Sequence, residues 1–199
     1  MKIQNRLKIM MFLQYFIWGS WLVTLGSYMI KTLSFNGSTV GLVYSTKGLA
    51  ALLMPALIGI VADKWVRANR VYLICHAICA AALFYAAGIQ DPDLMFWAML
   101  INAMAFMPTL ALSNTLAYSC LEKAGLDTVT HFPPVRVYGT VGFIAAMWTI
   151  SLLKLELSNL QLYIAAGASL LLAVYAMVLP TIPTANRKQG QPLSSMLGL

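Results

Sequence analysis

Six apolar runs separated by short polar links organise the chain, at 7–30, 40–62, 71–89, 94–118, 135–153 and 160–179. Each is about twenty residues, enough to cross a hydrocarbon core of roughly 30 Å as a helix. Backbone amides find no water inside lipid, so a spanning segment satisfies them within its own helix. The pattern therefore predicts an all-α integral membrane protein with six transmembrane helices.

The links carry the orientation. Lys2, Arg6, Lys8, Lys64, Arg67, Arg70, Lys123, Arg187 and Lys188 fall on one side of this alternation, and only Lys31 and Lys154 on the other. Basic residues accumulate on the cytoplasmic side, which places both termini there. Composition agrees: 60% of residues are hydrophobic and 10% charged, with a mean hydropathy of +0.77. The net charge of +7 then reads as topology and as contact with anionic inner-leaflet lipid. No nucleic-acid partner is expected, because the basic residues lack interleaved aromatics. Lys2, Arg6 and Lys8 ahead of an apolar run imitate a signal peptide, but the run is too long and no small-residue cleavage site ends it. Cys75, Cys79 and Cys120 form no metal-type cluster with His, so reduced thiols facing lipid or packed between helices are expected, with no metal and no cofactor.

Asn36-Gly37 predicts one outer turn, and Gln90-Asp91-Pro92-Asp93 another in which Asp93 can cap the fourth helix. The inner link from Leu121 to Pro134 is the longest between runs. Past the sixth run the chain turns polar, with Pro183, Arg187, Lys188, Gly190 and Pro192, before apolarity returns at Met196-Leu197-Gly198-Leu199. Residues 1–180 are thus expected to form a six-helix bundle, and 181–199 a cytoplasmic linker and the start of something further. The chain reads as a fragment.

Several polar residues inside the runs are candidates for chemistry. Arg136, Thr140 and Phe143 are spaced i, i+4, i+7 and share one helix face. A guanidinium, a hydroxyl and an aromatic ring would suit a small polar ligand bearing a ring. The bland alternative is an Arg snorkelling to phosphate at the inner edge. Lys47 lies seven residues into the second run, about 10 Å along a helix. A charge at that depth points to a cavity or an interior partner, with Tyr44 and Tyr28 as neighbours, or else it snorkels outward. Gln14, Trp18, Trp21 and Tyr28 form a stripe on the first run; Asn102, Thr109 and Ser113 form one on the fourth, beside Asn114. Such stripes serve helix packing as often as ligands. His76 and His131 have no Ser, Cys or carboxylate partner at recognisable spacing, which argues against a hydrolase. All six acidic residues map to links or boundaries, so the principal proton-carrying carboxylate is not expected in this segment.

The stretch from Gly59 to Arg70, with Asp63, Lys64 and Arg67, resembles the G-x-x-x-D-[R/K]-x-G-[R/K]-[R/K] loop of the major facilitator superfamily. Val66 stands in place of its second Gly and Ala68 in place of a basic residue. The alternative is a positive inner loop with an incidental Asp. With six helices and a basic linker, the plan resembles the N-terminal half of such a transporter, two inverted three-helix repeats awaiting a second six-helix half. Gly59 would then allow close helix contact, and Asp63, Lys64 and Arg67 would latch the inward side. Phe12-Leu13-Gln14-Tyr15-Phe16-Ile17-Trp18-Gly19-Ser20-Trp21, Met54-Pro55-Ala56-Leu57, Ala62-Asp63-Lys64-Trp65 and Phe132-Pro133-Pro134-Val135-Arg136 resemble the bacterial nucleoside:proton symporter family. That resemblance implies proton-coupled nucleoside uptake by alternating access across the bacterial inner membrane, with xanthosine the nucleoside it points to. It also implies that Arg136, Thr140 and Phe143 contact substrate, and Lys47 is added to them on its depth alone. A non-transporting membrane scaffold or an inactive truncated remnant is the competing reading.

Overall fold

The computed structural model describes residues 2–180, with residues 60–64 described by their backbone alone. The described residues form seven helices: α1 (Ile3–Gly19), α2 (Leu25–Lys31), α3 (Gly37–Lys64), α4 (Ala68–Ala86), α5 (Pro92–Lys123), α6 (Thr128–Leu152) and α7 (Leu160–Ala176). Four carry segments long and apolar enough to cross a membrane: Gly37–Gly59, Ala68–Ala86, Pro92–Lys123 and Thr128–Leu152. The segment 181–199, expected to be a linker, lies outside the described residues.

The first apolar run is not one helix. It breaks at 20–24 between α1 and α2, although Leu22 and Leu25 amides still bond the carbonyls four residues back. The Ser20 hydroxyl donates to the Phe16 carbonyl at 2.8 Å, competing with the backbone at a Gly-Ser pair, a common cause of helix bending. A second correction concerns capping. Asp91, not Asp93, caps α5: its Oδ1 accepts from the Asp93 and Leu94 amides at 3.0 and 2.9 Å, with Pro92 as the first helical residue. The supposed long inner link is also short. α5 runs on to Lys123 and α6 begins at Thr128, with Gly125 at φ +67° turning the chain between them. Asp127 caps α6 by accepting from the amides of Val129 and Thr130, and these bonds with the Thr130 hydroxyl hold its carboxyl below the usual range.

α1 packs along α6, α4 along α7 and α5, and α3 along α5. The α1–α6 seam is made of small residues. A Cβ on Gly19 would sit 2.6 Å from the Phe143 carbonyl oxygen, and one on Gly142 would collide with the Phe12 carbonyl, so two backbones run in direct contact there. At one end of the bundle the Tyr175 hydroxyl donates to the Arg6 carbonyl and Asn69 to the Pro180 carbonyl. At the other, Thr32 donates to the Leu157 carbonyl and Asn159 to that of Ala87. The links therefore gather at two opposite ends, as alternation along the sequence requires.

Candidate functional site

α6 starts at Thr128, so Arg136 sits eight residues in, about 12 Å along the helix. The helix runs unbroken through Pro133 and Pro134. Arg136 is half-buried and turned onto α1. Its Nη2 donates to the Tyr15 hydroxyl at 2.7 Å, and its guanidinium lies 4.2 Å from the centre of the Tyr15 ring. Arg136 and Thr140 line one hollow of about 450 Å³ with Phe132, Pro133 and Val137, within the size range of small-molecule sites.

Phe143 lies a turn further along α6, outside that lining. It meets α1 through Trp18, edge-on at 6.4 Å between ring centres. Trp18 in turn packs on Tyr15 at 6.2 Å and on Phe106 of α5 at 6.0 Å. Arg136 and Phe143 are thus joined through the aromatic pair Tyr15 and Trp18 on α1, while Thr140 shares only the hollow with Arg136. The Trp18 indole nitrogen is buried without a hydrogen-bond partner.

Lys47 lies deeper than its place in the apolar run suggests. α3 starts at Gly37, which puts Lys47 ten residues in, about 15 Å from the helix start. Its ammonium sits 4.0 Å from the Tyr44 ring centre and 5.8 Å from that of Trp21, an arrangement that favours a cation. Tyr44 was the expected neighbour; its second aromatic is Trp21, where Tyr28 was expected. The Tyr44 hydroxyl is engaged elsewhere, donating to the Leu22 carbonyl and accepting from the Gly26 amide, which holds α3 against the break in the first run. Lys47 does not line the Arg136 hollow. It meets Trp21 in the break between α1 and α2.

Of the residues expected to latch the inward side, Asp63 and Lys64 lie outside the residues whose side chains are described. Arg67 is exposed in the link before α4. No described atom lies within 4 Å of a Cβ built on Gly59, so the close helix contact expected there is not made.

The buried centre of the bundle holds a polar network that spacing could not reveal. Gln14 Nε2 donates to Thr109 at 2.8 Å, while its Oε1 accepts from the Tyr72 hydroxyl at 2.6 Å and from His76 Nε2 at 2.9 Å. That bond sets His76 as the Nε2–H tautomer, with Nδ1 3.2 Å from the Ser169 hydroxyl. Four helices meet here, and Gln14, His76, Thr109 and Ser169 are each 0% exposed. Spacing offers His76 no recognisable Ser partner, since Ser169 is 93 residues away in sequence. The network is fully buried and holds helices together. Cys75, Cys79 and Cys120 are buried free thiols; Cys75 lines a groove of about 420 Å³ whose walls, Met54, Ile58, Ile74 and Ile101 among them, offer nothing to orient a polar ligand.

The sequence profile described as nucleoside H+ symporter matches residues 1–199. The chain is 68% identical to xanthosine permease of Escherichia coli (strain K12) over 199 residues, all of this chain and 48% of that protein. Nucleoside permease NupG of the same organism is 53% identical over the same span. The crystal structure of nucleoside transporter NupG superposes with a TM-score of 0.92, covering 100% of this chain and 49% of that one. The chain spans about half the length of the curated relatives it matches.

Proposed function

The chain belongs to the nucleoside H+ symporter family, and from that premise we propose that it is the N-terminal half of a proton-coupled nucleoside carrier. In this reading α1 and α2 together make one interrupted span, giving six with α3 to α7. Both termini lie on the cytoplasmic side of a bacterial inner membrane, and a second six-helix half closes over the surface bearing Arg136. The observation that carries the proposal is Arg136 itself. A guanidinium about 12 Å into an apolar helix is costly unless it faces a wet cavity or a ligand, and here it shares a hollow with Thr140.

Arg136 supplies charge-assisted hydrogen bonds, Thr140 a hydroxyl for ribose or base, and Phe143 an aromatic edge near the base. Lys47 adds a second cation, held between Tyr44 and Trp21. Support for a missing half comes from the burial pattern. The apolar windows of α3 and α6 are only 17% and 28% buried, against 50% and 56% for α4 and α5. Asp63, Lys64 and Arg67 would act in the inner loop that closes the cavity, without touching substrate. Relatives carry the names xanthosine permease and nucleoside permease, and xanthosine is the substrate proposed here.

Reconstituting the intact carrier, this chain joined to its second half, tests the reading. Labelled xanthosine should accumulate in proteoliposomes when an inward proton gradient is imposed and cease when it is collapsed. Absence of uptake for every nucleoside tried would overturn it.

A further inference from the structure

We propose that Tyr15 is the positioning residue for Arg136, holding the guanidinium flat at the wall of the hollow so that its free N–H groups face a ligand; this rests on the nucleoside-carrier reading of that site. Three observations converge. The guanidinium is stacked on the Tyr15 ring at 4.2 Å, and its Nη2 donates to the hydroxyl of the same residue at 2.7 Å. One tyrosine thus engages both the charge and one N–H of the group, restricting a side chain with many rotamers. The space for this clamp comes from Gly139, one turn beyond Arg136 on α6. A Cβ there would lie 2.7 Å from Arg136 Nη1 and 2.7 Å from the Tyr15 ring.

The clamp also explains why a charge at this depth need not reach for a headgroup. An unpaired guanidinium in an apolar helix would snorkel to the interface. Here the ring face attracts it and the hydroxyl accepts one of its five N–H groups.

The experiment is a double-mutant cycle on the intact carrier in detergent, reading the dissociation constant for xanthosine by calorimetry. Tyr15→Phe keeps the ring and removes the acceptor, and it should weaken binding roughly tenfold. In an Arg136→Ala background the same change should cost less than about twofold, because Tyr15 acts through Arg136. Gly139→Ala, which crowds the clamp from α6, should show the same pattern as Tyr15→Phe, a loss in the wild type and little in the Arg136→Ala background, and stands in if Tyr15→Phe does not fold. Equal losses in the two backgrounds would make Tyr15 a packing residue and overturn the inference. So would unchanged affinity in Tyr15→Phe while Arg136→Ala loses binding, an outcome that leaves the carrier reading intact. A wild-type carrier that binds no nucleoside would overturn both.

Discussion

At the scale of single residues, two kinds of polar group within the apolar runs must be separated. Gln14, His76, Tyr72, Thr109 and Ser169 satisfy one another inside the bundle, whereas Arg136 and Thr140 line a hollow. Gln14→Leu should therefore lower thermal stability, by about 1–3 kcal/mol for each donor it strands, and thermal unfolding in detergent will show whether it does. Arg136→Ala should instead weaken nucleoside affinity roughly ten- to a hundredfold at unchanged expression, since a charge-assisted bond is worth about 1.5–3 kcal/mol. Phe143→Ala should lose part of the base contact in the same assay. Lys47 carries a sharper expectation. The xanthosine base is unusually acidic and partly anionic near neutral pH, and a buried ammonium favours that anion. Lys47→Leu should reduce xanthosine uptake more than adenosine or uridine uptake, with the difference shrinking in acid. Equal losses for all three would make Lys47 a support for the fold through Tyr44 and Trp21. The sequence singled out Arg136, Thr140, Phe143 and Lys47 because charge and spacing within apolar runs are visible in one dimension. It missed the role of Tyr15, although Tyr15, Trp18 and Trp21 recur at helical spacing, because aromatic stripes in apolar helices are ordinary packing until a cation lies on them.

At the scale of elements, the α1–α6 seam and the caps set the geometry of the site. Gly19 and Gly142 let two backbones touch; a side chain at either must drive the helices apart and carry Tyr15 away from Arg136. Gly142→Ala should lower both stability and nucleoside affinity. Gly167→Ala, where a Cβ meets nothing within 4 Å, should be silent, and comparing their melting curves checks the seam. The Asp127 cap fixes where α6 begins and hence how deep Arg136 lies. Its carboxyl is held low by bonds from Thr130 and Val129, so it stabilises the helix start in its charged form. That contribution is complete above the ordinary carboxylate value, near 3.8, and is lost as pH falls through the lowered one. Asp127→Ala should speed hydrogen exchange of the Val129 and Thr130 amides at neutral pH, where both are otherwise protected. The start of α6 lies seven residues before the apolar run that marks it, because Thr128, Thr130, His131 and two prolines interrupt the apolar signal without interrupting the helix. The break at 20–24 was invisible for the opposite reason: Trp21, Leu22 and Val23 keep the run apolar while the backbone loosens.

At the scale of the whole molecule, the charge pattern makes a prediction about sidedness. Single cysteines placed at residues 36 and 157, both exposed, on a background with Cys75, Cys79 and Cys120 replaced by Ala, should react with an impermeant thiol reagent added to intact cells. Cysteines at 67 and 124 should react only after lysis. The reverse pattern would invert the carrier. That the chain forms a bundle of apolar helices was legible because lipid removes alternatives: an apolar run of this length has to be a helix. The family was legible in the words around Trp18 and Arg136. Which helices pair was not, because the low charge and similar hydropathy of the runs give each nearly the same surface in one dimension. Only the folded chain decides that α1 lies on α6, that His76 finds Ser169 across 93 residues, and that Tyr15 faces Arg136. Those partners are selected by backbone approach at glycines and by matching donors to acceptors, quantities that exist between helices and in none of them separately.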